Sequence, residues 1–240
     1  MISDFLLSFC SVPDRLHYET RKVLTPREQA LLGEKATPKR TLDFIAGRIA
    51  GKNAIRSYLK LNDDTPLSIL RVEEGDNAGK PYAILEEHNS SLDIHVSITH
   101  ADGKAYAAVS RIPIGIDNVT IETYGSSFGN AVFQEGELQG WADWLGVHEH
   151  DSLAVCTGFA AKEAFLKWMG VGLRHSLPMI RISPNVQSKS VNPYGFFQTS
   201  FGAVCRIGSD STDKTACFHL DGYYTRVNGQ VIIMMIGESS

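Results

Sequence analysis

An α+β fold built as two halves, each a run of helix followed by a run of strands, is what this sequence of 240 residues predicts. Helix signals cluster over residues 25–59 and again over 133–170. Segments rich in β-branched and aromatic residues, bounded by turn formers, follow each cluster. Grouping of this kind, in place of strict strand–helix alternation, favours α+β over a parallel βαβ sheet. The chain divides near residue 115 into lobes of residues 1–114 and 115–240.

Thr25, Pro26 and Glu28 form a capping box with proline in the first helical turn, which starts a short helix through Leu31 and Leu32. Thr37-Pro38 repeats the device and opens a long helix to Leu59, with Leu42, Ile45, Ala46 and Ile49 as its apolar stripe. Strands follow in PLSILRVEE, PYAIL, LDIHVSITH and KAYAAVS, the last two joined by a hairpin turn at Ala101-Asp102-Gly103. IPIGIDNVTIE is the next strand. FQEGELQGWADWLG and SLAVCTGFAAKEAFLKWMG are helices, the second stopped at Gly170, and a strand-rich tail begins at Pro178.

With 27 acidic and 23 basic side chains the net charge is −4, which argues against binding nucleic acid through bulk positive charge. An anionic ligand must therefore find a local basic pocket. Cys10, Cys156, Cys205 and Cys217 show neither a CxxC pair nor zinc-ligand spacing, so they are expected as reduced thiols of a cytoplasmic protein. The start, MISDFLLSFC, lacks the basic region of a signal peptide, and VIIMMIG is too short to span a bilayer, so no membrane association is expected.

Asp117 ends a Gly-Ile strand and Glu163 lies on an amphipathic helix. Two carboxylates suit a hard cation that also takes phosphate oxygens, although an acid at a turn and another on a solvated helix face would look the same. Lys167, one turn after Glu163, is either its surface ion-pair partner or a cation that steadies a neighbouring phosphate. Arg48, Lys52 and Arg56 recur every four residues as a basic stripe, which is a solvated face or an anion clamp. Ala46 and Gly47 are small enough to let a ligand or another chain approach beside Arg48. Lys80 in NAGKP is turned toward extended geometry by Pro81. Thr99 and His100 end a strand at a glycine-containing turn, where hydroxyl, imidazole and backbone N–H groups can face a phosphate.

In order and spacing, AGRIAGKNAI, NAGKPY, VSITHADGKAYAAVS, IPIGID and FAAKEAFLKWMGVGL resemble the motifs of the phosphopantetheinyl transferase superfamily, in its larger, surfactin-synthetase-activating type. The match runs from about Leu24 to Leu173. The resemblance implies two similar lobes in one chain related by a pseudo-twofold axis, with coenzyme A between them and Mg²⁺ on its pyrophosphate. It implies transfer of the 4'-phosphopantetheine group to a serine of an apo acyl or peptidyl carrier protein, with release of 3',5'-adenosine bisphosphate. Asp117 and Glu163 match the metal-binding acids, and Glu163 and Lys167 the catalytic pair, with either Glu163 or a metal-held water implied as the base. Arg48, Lys80 and His100, with Lys52 and Thr99 beside them, match the coenzyme A contacts. Two lobes in one chain imply a monomer.

The sequence departs from the family pattern at Thr99 for serine, Phe159 for tryptophan and Val119 for a third acid. Glu122 could replace that acid only through a bulge after Asn118, because strand alternation otherwise sends it to the other face from Asp117. Two rivals remain: a binding module that keeps the coenzyme A or carrier surface without transfer, and a Mg²⁺-dependent hydrolase of nucleotide pyrophosphates. A mass gain on a carrier, or release of adenosine bisphosphate without one, separates the three.

Overall fold

The computed structural model describes residues 5–13, 23–33, 36–172, 175–185, 190–191, 196–207 and 214–238. The first four residues of MISDFLLSFC, Leu173 at the end of the last motif and parts of the strand-rich tail lie outside them. The chain separates into two compact units, Met1–Ile116 and Asp117–Ser240. Each combines helices with antiparallel strands, so the α+β class holds.

Unit 1 opens with β1 (Phe5–Ser11), a strand the sequence reading did not anticipate. Helix α1 (Pro26–Ala30) follows, with both halves of the Thr25/Glu28 capping box formed. Helix α2 runs Pro38–Leu59 and ends at Lys60, which takes up the left-handed conformation. The strands are β2 (Leu67–Arg71), β3 (Pro81–Leu85), β4 (Ser90–Ser91), β5 (His95–Ala101) and β6 (Lys104–Ser110). They form two sheets, β1-β6-β5 and β2-β3-β4. Asp102 (φ 44°) and Gly103 (φ 71°) make the predicted β5–β6 hairpin, whose two positive φ values match the right-handed twist of the strands.

The buried side of α2 is wider than the expected stripe. Ala46, Ala50, Ala54 and Ile55 are buried against Leu67, Ile69, Val96 and Val109, and Ile45 is buried too, but Leu42 and Ile49 are only half-buried. Close packing explains the two glycines of the helix. A Cβ at Gly47 would stand 3.1 Å from Ile98, and one at Gly51 would run into Ile69. The space beside Arg48 that the sequence suggested for a ligand is thus taken by β5.

Unit 2 begins inside β7 (Ile114–Thr120), which carries Asp117. Helix α3 (Ser126–Val132), which was not anticipated, is followed by α4 (Glu137–Leu145) and α5 (Ser152–Met169). The helix expected from Phe133 starts only at Glu137, because Gly136 stands in the left-handed conformation at its N-cap. A short 3-10 turn at Leu177–Met179 leads into β8 (Ile180–Pro184), β9 (Ser190–Val191), β10 (Phe197–Ile207), β11 (Lys214–Val227) and β12 (Gln230–Ile236). The sheet runs β7-β12-β11-β10-β8, with β9 paired to β10.

Helix α5 lies on this sheet through Ala160, Ala161, Ala164 and Phe165, packed with Trp141, Trp144, Phe201 and Ile233. Alanines on its inner face let the helix come close, and aromatic rings fill the space at its sides. No described helix is long and apolar enough to cross a membrane.

Candidate active site

The three residues singled out around GID and KE come together within unit 2. Asp117 is 6% exposed on β7, and Lys167 of α5 donates to its Oδ1 at 2.7 Å. Glu163, one helical turn before Lys167, is half-buried beside them, and its Oε1 is buried without accepting a hydrogen bond. Burial raises the Glu163 carboxyl to about 7; the charge of Asp117 adds to the rise and Lys167 opposes it. Lys167 is therefore the partner of Asp117 across two elements, where the sequence suggested a pair with Glu163 on one helix.

Asp117 and Glu163 thus bring two acids close together beside Lys167. Mg²⁺ takes one or two protein carboxylates and completes its shell with water and phosphate oxygens, so an unpartnered Glu163 oxygen next to Asp117 fits such an ion. Among the described residues no cluster of three or more potential ligand side chains exists to hold a metal by itself. Val119, in the place of the family's third acid, is buried in the apolar cluster of unit 2 with Ala160 and Ala164. Glu122 is exposed and hydrogen-bonded to Tyr124, whose hydroxyl is pushed up to about 12 by burial and by that contact.

Within unit 1 the stripe of Arg48, Lys52 and Arg56 is not a solvated face. Lys52 is 4% exposed, and its ammonium donates to Glu28 Oε2 at 2.6 Å and to the Val23 carbonyl at 2.7 Å. Lys52, matched to a coenzyme A contact in the sequence, is spent here on Glu28 and Val23 inside the fold, and burial lowers its pKa. Arg56 is half-buried and donates to the Thr65 carbonyl.

Arg48 differs from both. It is 4% exposed, lies 4.1 Å over the Phe44 ring and stands 3.6 Å from Glu28, yet its Nε and one terminal nitrogen make no hydrogen bond. Burial draws its guanidinium down to about 10, with Glu28 pulling the other way and Arg71 adding to the drop. Phe44, Arg40 and Arg71 line a cavity of about 180 Å³ together with Leu31 and Leu32. The structure thus surrounds one cavity with two arginines and sets a third behind its aromatic wall.

The remaining predicted contacts are also on unit 1. Lys80 is half-buried, and burial lowers its pKa. Thr99 is 5% exposed and His100 is exposed at the end of β5. Sequence reasoning missed Phe44, Arg40 and Arg71, which carry no motif, and it saw Glu28 only as a helix cap. A glutamate that caps one helix while lysine and arginine recur on the next was the available signal for the buried pairing.

The profile of the 4'-phosphopantetheinyl transferase superfamily matches residues 113–218. The holo-(acyl-carrier-protein) synthase of Anoxybacillus flavithermus is 35% identical over 91 residues, 37% of this chain and 72% of that one. The enzyme of the same name from Geobacillus kaustophilus is 34% identical over 100 residues, 41% of this chain and 75% of its own. The solved holo-ACP-synthase from Plasmodium yoelii has a TM-score of 0.34 and 18% identity, covering 45% of this chain and 93% of that chain. The chain belongs to the 4'-phosphopantetheinyl transferase superfamily.

Proposed function

We propose that this protein transfers the 4'-phosphopantetheine group of coenzyme A to a serine of an acyl or peptidyl carrier protein, in a reaction dependent on Mg²⁺. The observation that carries the reading is the Asp117, Glu163 and Lys167 cluster, with one buried carboxylate oxygen left unpartnered. Asp117 and Glu163 would hold the ion, which when bound offsets the negative charge of the pyrophosphate. Glu163 takes the proton of the serine hydroxyl as its oxygen bonds to the β-phosphorus of coenzyme A. The bond from that phosphorus to the bridging oxygen breaks, and 3',5'-adenosine bisphosphate departs with the electron pair. Lys167 steadies the leaving phosphate, so most of the acceleration comes from positioning and charge neutralisation.

Arg48 and the cavity lined by Arg40, Phe44 and Arg71 suit an anionic ligand with a flat ring, which the phosphorylated nucleoside end of coenzyme A supplies. Lys80, Thr99 and His100 are further contacts with its phosphates. The four free cysteines agree with a reducing cytoplasmic setting, and a monomer is the expected state.

The test is incubation with coenzyme A, Mg²⁺ and a panel of apo carrier proteins from fatty-acid, polyketide and nonribosomal-peptide systems. A mass gain of one phosphopantetheine on at least one carrier is expected, and none with EDTA. No gain on any carrier, with a folded enzyme, would return the protein to the binding-module reading.

A further inference from the structure

Lys162 is fully buried, yet it takes no part in the reaction outlined above. Its ammonium donates to the carbonyls of Val132 at 2.7 Å, Leu177 at 3.1 Å and Ile180 at 2.5 Å, and pairs with Glu137 at 2.9 Å. Those oxygens belong to four places: the end of α3, the 3-10 turn, the start of β8 and the first residue of α4. Glu137 is in turn held by the backbone N–H groups of Ile182 and Gln134, at 2.9 and 3.0 Å. One point on α5 is therefore fixed to α3, the 3-10 turn, β8 and α4 at once.

The neighbouring residue is Glu163. Its Oε1 accepts no hydrogen bond, so no partner for that oxygen holds the carboxylate in place. Its direction must come from the helix. Adjacent residues of an α-helix point about 100° apart, so anchoring Lys162 inward sets the direction in which Glu163 leaves the helix axis. One turn further on, Lys167 binds Asp117 and fixes the helix a second time. Glu163 lies between two anchors.

We propose that Lys162 and Glu137 are positioning residues for the metal pair, setting the rotation and height of α5 that bring the Glu163 carboxylate to Asp117. Neither touches the reacting atoms. The inference rests on the reading that Asp117 and Glu163 bind the divalent cation. Supporting groups behind metal ligands matter by about 10- to 100-fold in metal affinity, and an effect in that range is expected.

The experiment measures Mn²⁺ binding by electron paramagnetic resonance on the intact protein, scaled to the folded fraction from circular dichroism. Lys162→Met removes the anchor, and Glu137→Gln keeps its shape but turns one of two accepting oxygens into a donor facing N–H groups, which weakens the anchor. In each folded variant the Mn²⁺ dissociation constant should rise by about tenfold, with the larger rise in Lys162→Met. Binding of 3',5'-adenosine bisphosphate in EDTA should stay as in the unmodified protein, a separation that general loosening of the fold would not produce. If Lys162→Met does not fold, Glu137→Gln decides alone. Unchanged Mn²⁺ affinity in a folded variant overturns the positioning role while leaving the metal site intact. Absence of Mn²⁺ binding to the unmodified protein, or binding that survives Asp117→Asn, overturns the metal reading and this inference with it.

Discussion

The two units use the same tether and are left with opposite charges. In unit 1, Lys52 of α2 pairs with Glu28, whose other oxygen accepts from the Ile69 N–H of β2 at 2.9 Å. In unit 2, Lys162 of α5 pairs with Glu137, whose other oxygen accepts from the Ile182 N–H of β8 at 2.9 Å. Each tether joins a long helix, a helix start and a strand, with both ions buried and bonded. A buried pair is tolerable only when its hydrogen bonds are complete, and both approach that condition. What differs is the group left over. Beside the first tether, at Arg48, two guanidinium nitrogens make no hydrogen bond although Glu28 stands 3.6 Å away; beside the second, at Glu163, it is one carboxylate oxygen. Under the proposed function, the first set of groups would face a phosphate and the second a metal ion, ligands of opposite sign.

Four experiments would break or sharpen this contrast. The largest effect is expected at Glu163→Gln, which removes a metal charge and the proton acceptor together without changing size. Transfer should fall on the order of a thousandfold at saturating coenzyme A, measured as mass gain on the carrier. Turnover near normal would show that the orphaned oxygen has no part in catalysis.

Next comes Lys52→Met. Removing one member of a buried pair takes from Glu28 its hydrogen-bonded cation, leaving Arg48 at 3.6 Å, and should cost about 3 kcal/mol in urea unfolding. If Lys52 instead held phosphate, stability would hold and coenzyme A affinity would fall. The same substitution thus separates the tether from the ligand contact.

A smaller effect is expected for Arg48→Ala: a rise of about tenfold in KM for coenzyme A with little change in kcat, since the residue is assigned to binding alone. Comparison with dephospho-coenzyme A locates the contact. Loss for coenzyme A only assigns Arg48 to the 3'-phosphate, and equal loss for both moves it to the pyrophosphate.

Much of this was legible in the sequence, and the failures have physical causes. Capping at Thr25 and Thr37, the Asp102-Gly103 hairpin and the stop at Gly170 are local signals, and each element they predict is present. Helix α3 and strand β1 were missed, since SSFGNAV and FLLSFCS carry neither a strong cap nor a clean period. The GID and KE acids, which the structure brings near one another, stood out because the motifs are short and contiguous. The pairing of Lys52 was not legible because i,i+4 spacing gives the face of a charge but not whether that face is buried. Its partner Glu28 lies 24 residues away on another helix. The likeness of the two tethers was invisible for the same reason: Glu28 with Lys52 and Glu137 with Lys162 share partners in space, while the surrounding sequences share no repeat.

The last and smallest effect is a pH dependence of the metal-free protein, and it tests directly whether Glu163 differs from the two tethered glutamates. Its carboxyl is raised from 4.5 to about 7, so between these values the folded protein keeps a proton that the unfolded chain has lost. Stability rises with pH where the unfolded state binds more protons; here the folded state binds more, so stability falls. The unfolding midpoint of the metal-free protein should therefore decline from pH 4.5 to about 7 and level off above that, relative to Glu163→Gln as the reference for all other groups. Asp117→Asn should keep most of the decline, because burial is the larger cause and the charge of Asp117 the second. Saturating Mg²⁺ should reverse it, since the cation binds the ionised carboxylate and gains affinity as the proton leaves. Identical profiles for the unmodified protein and Glu163→Gln would mean that the oxygen is as well satisfied as those of Glu28 and Glu137, and the contrast between the two units would disappear.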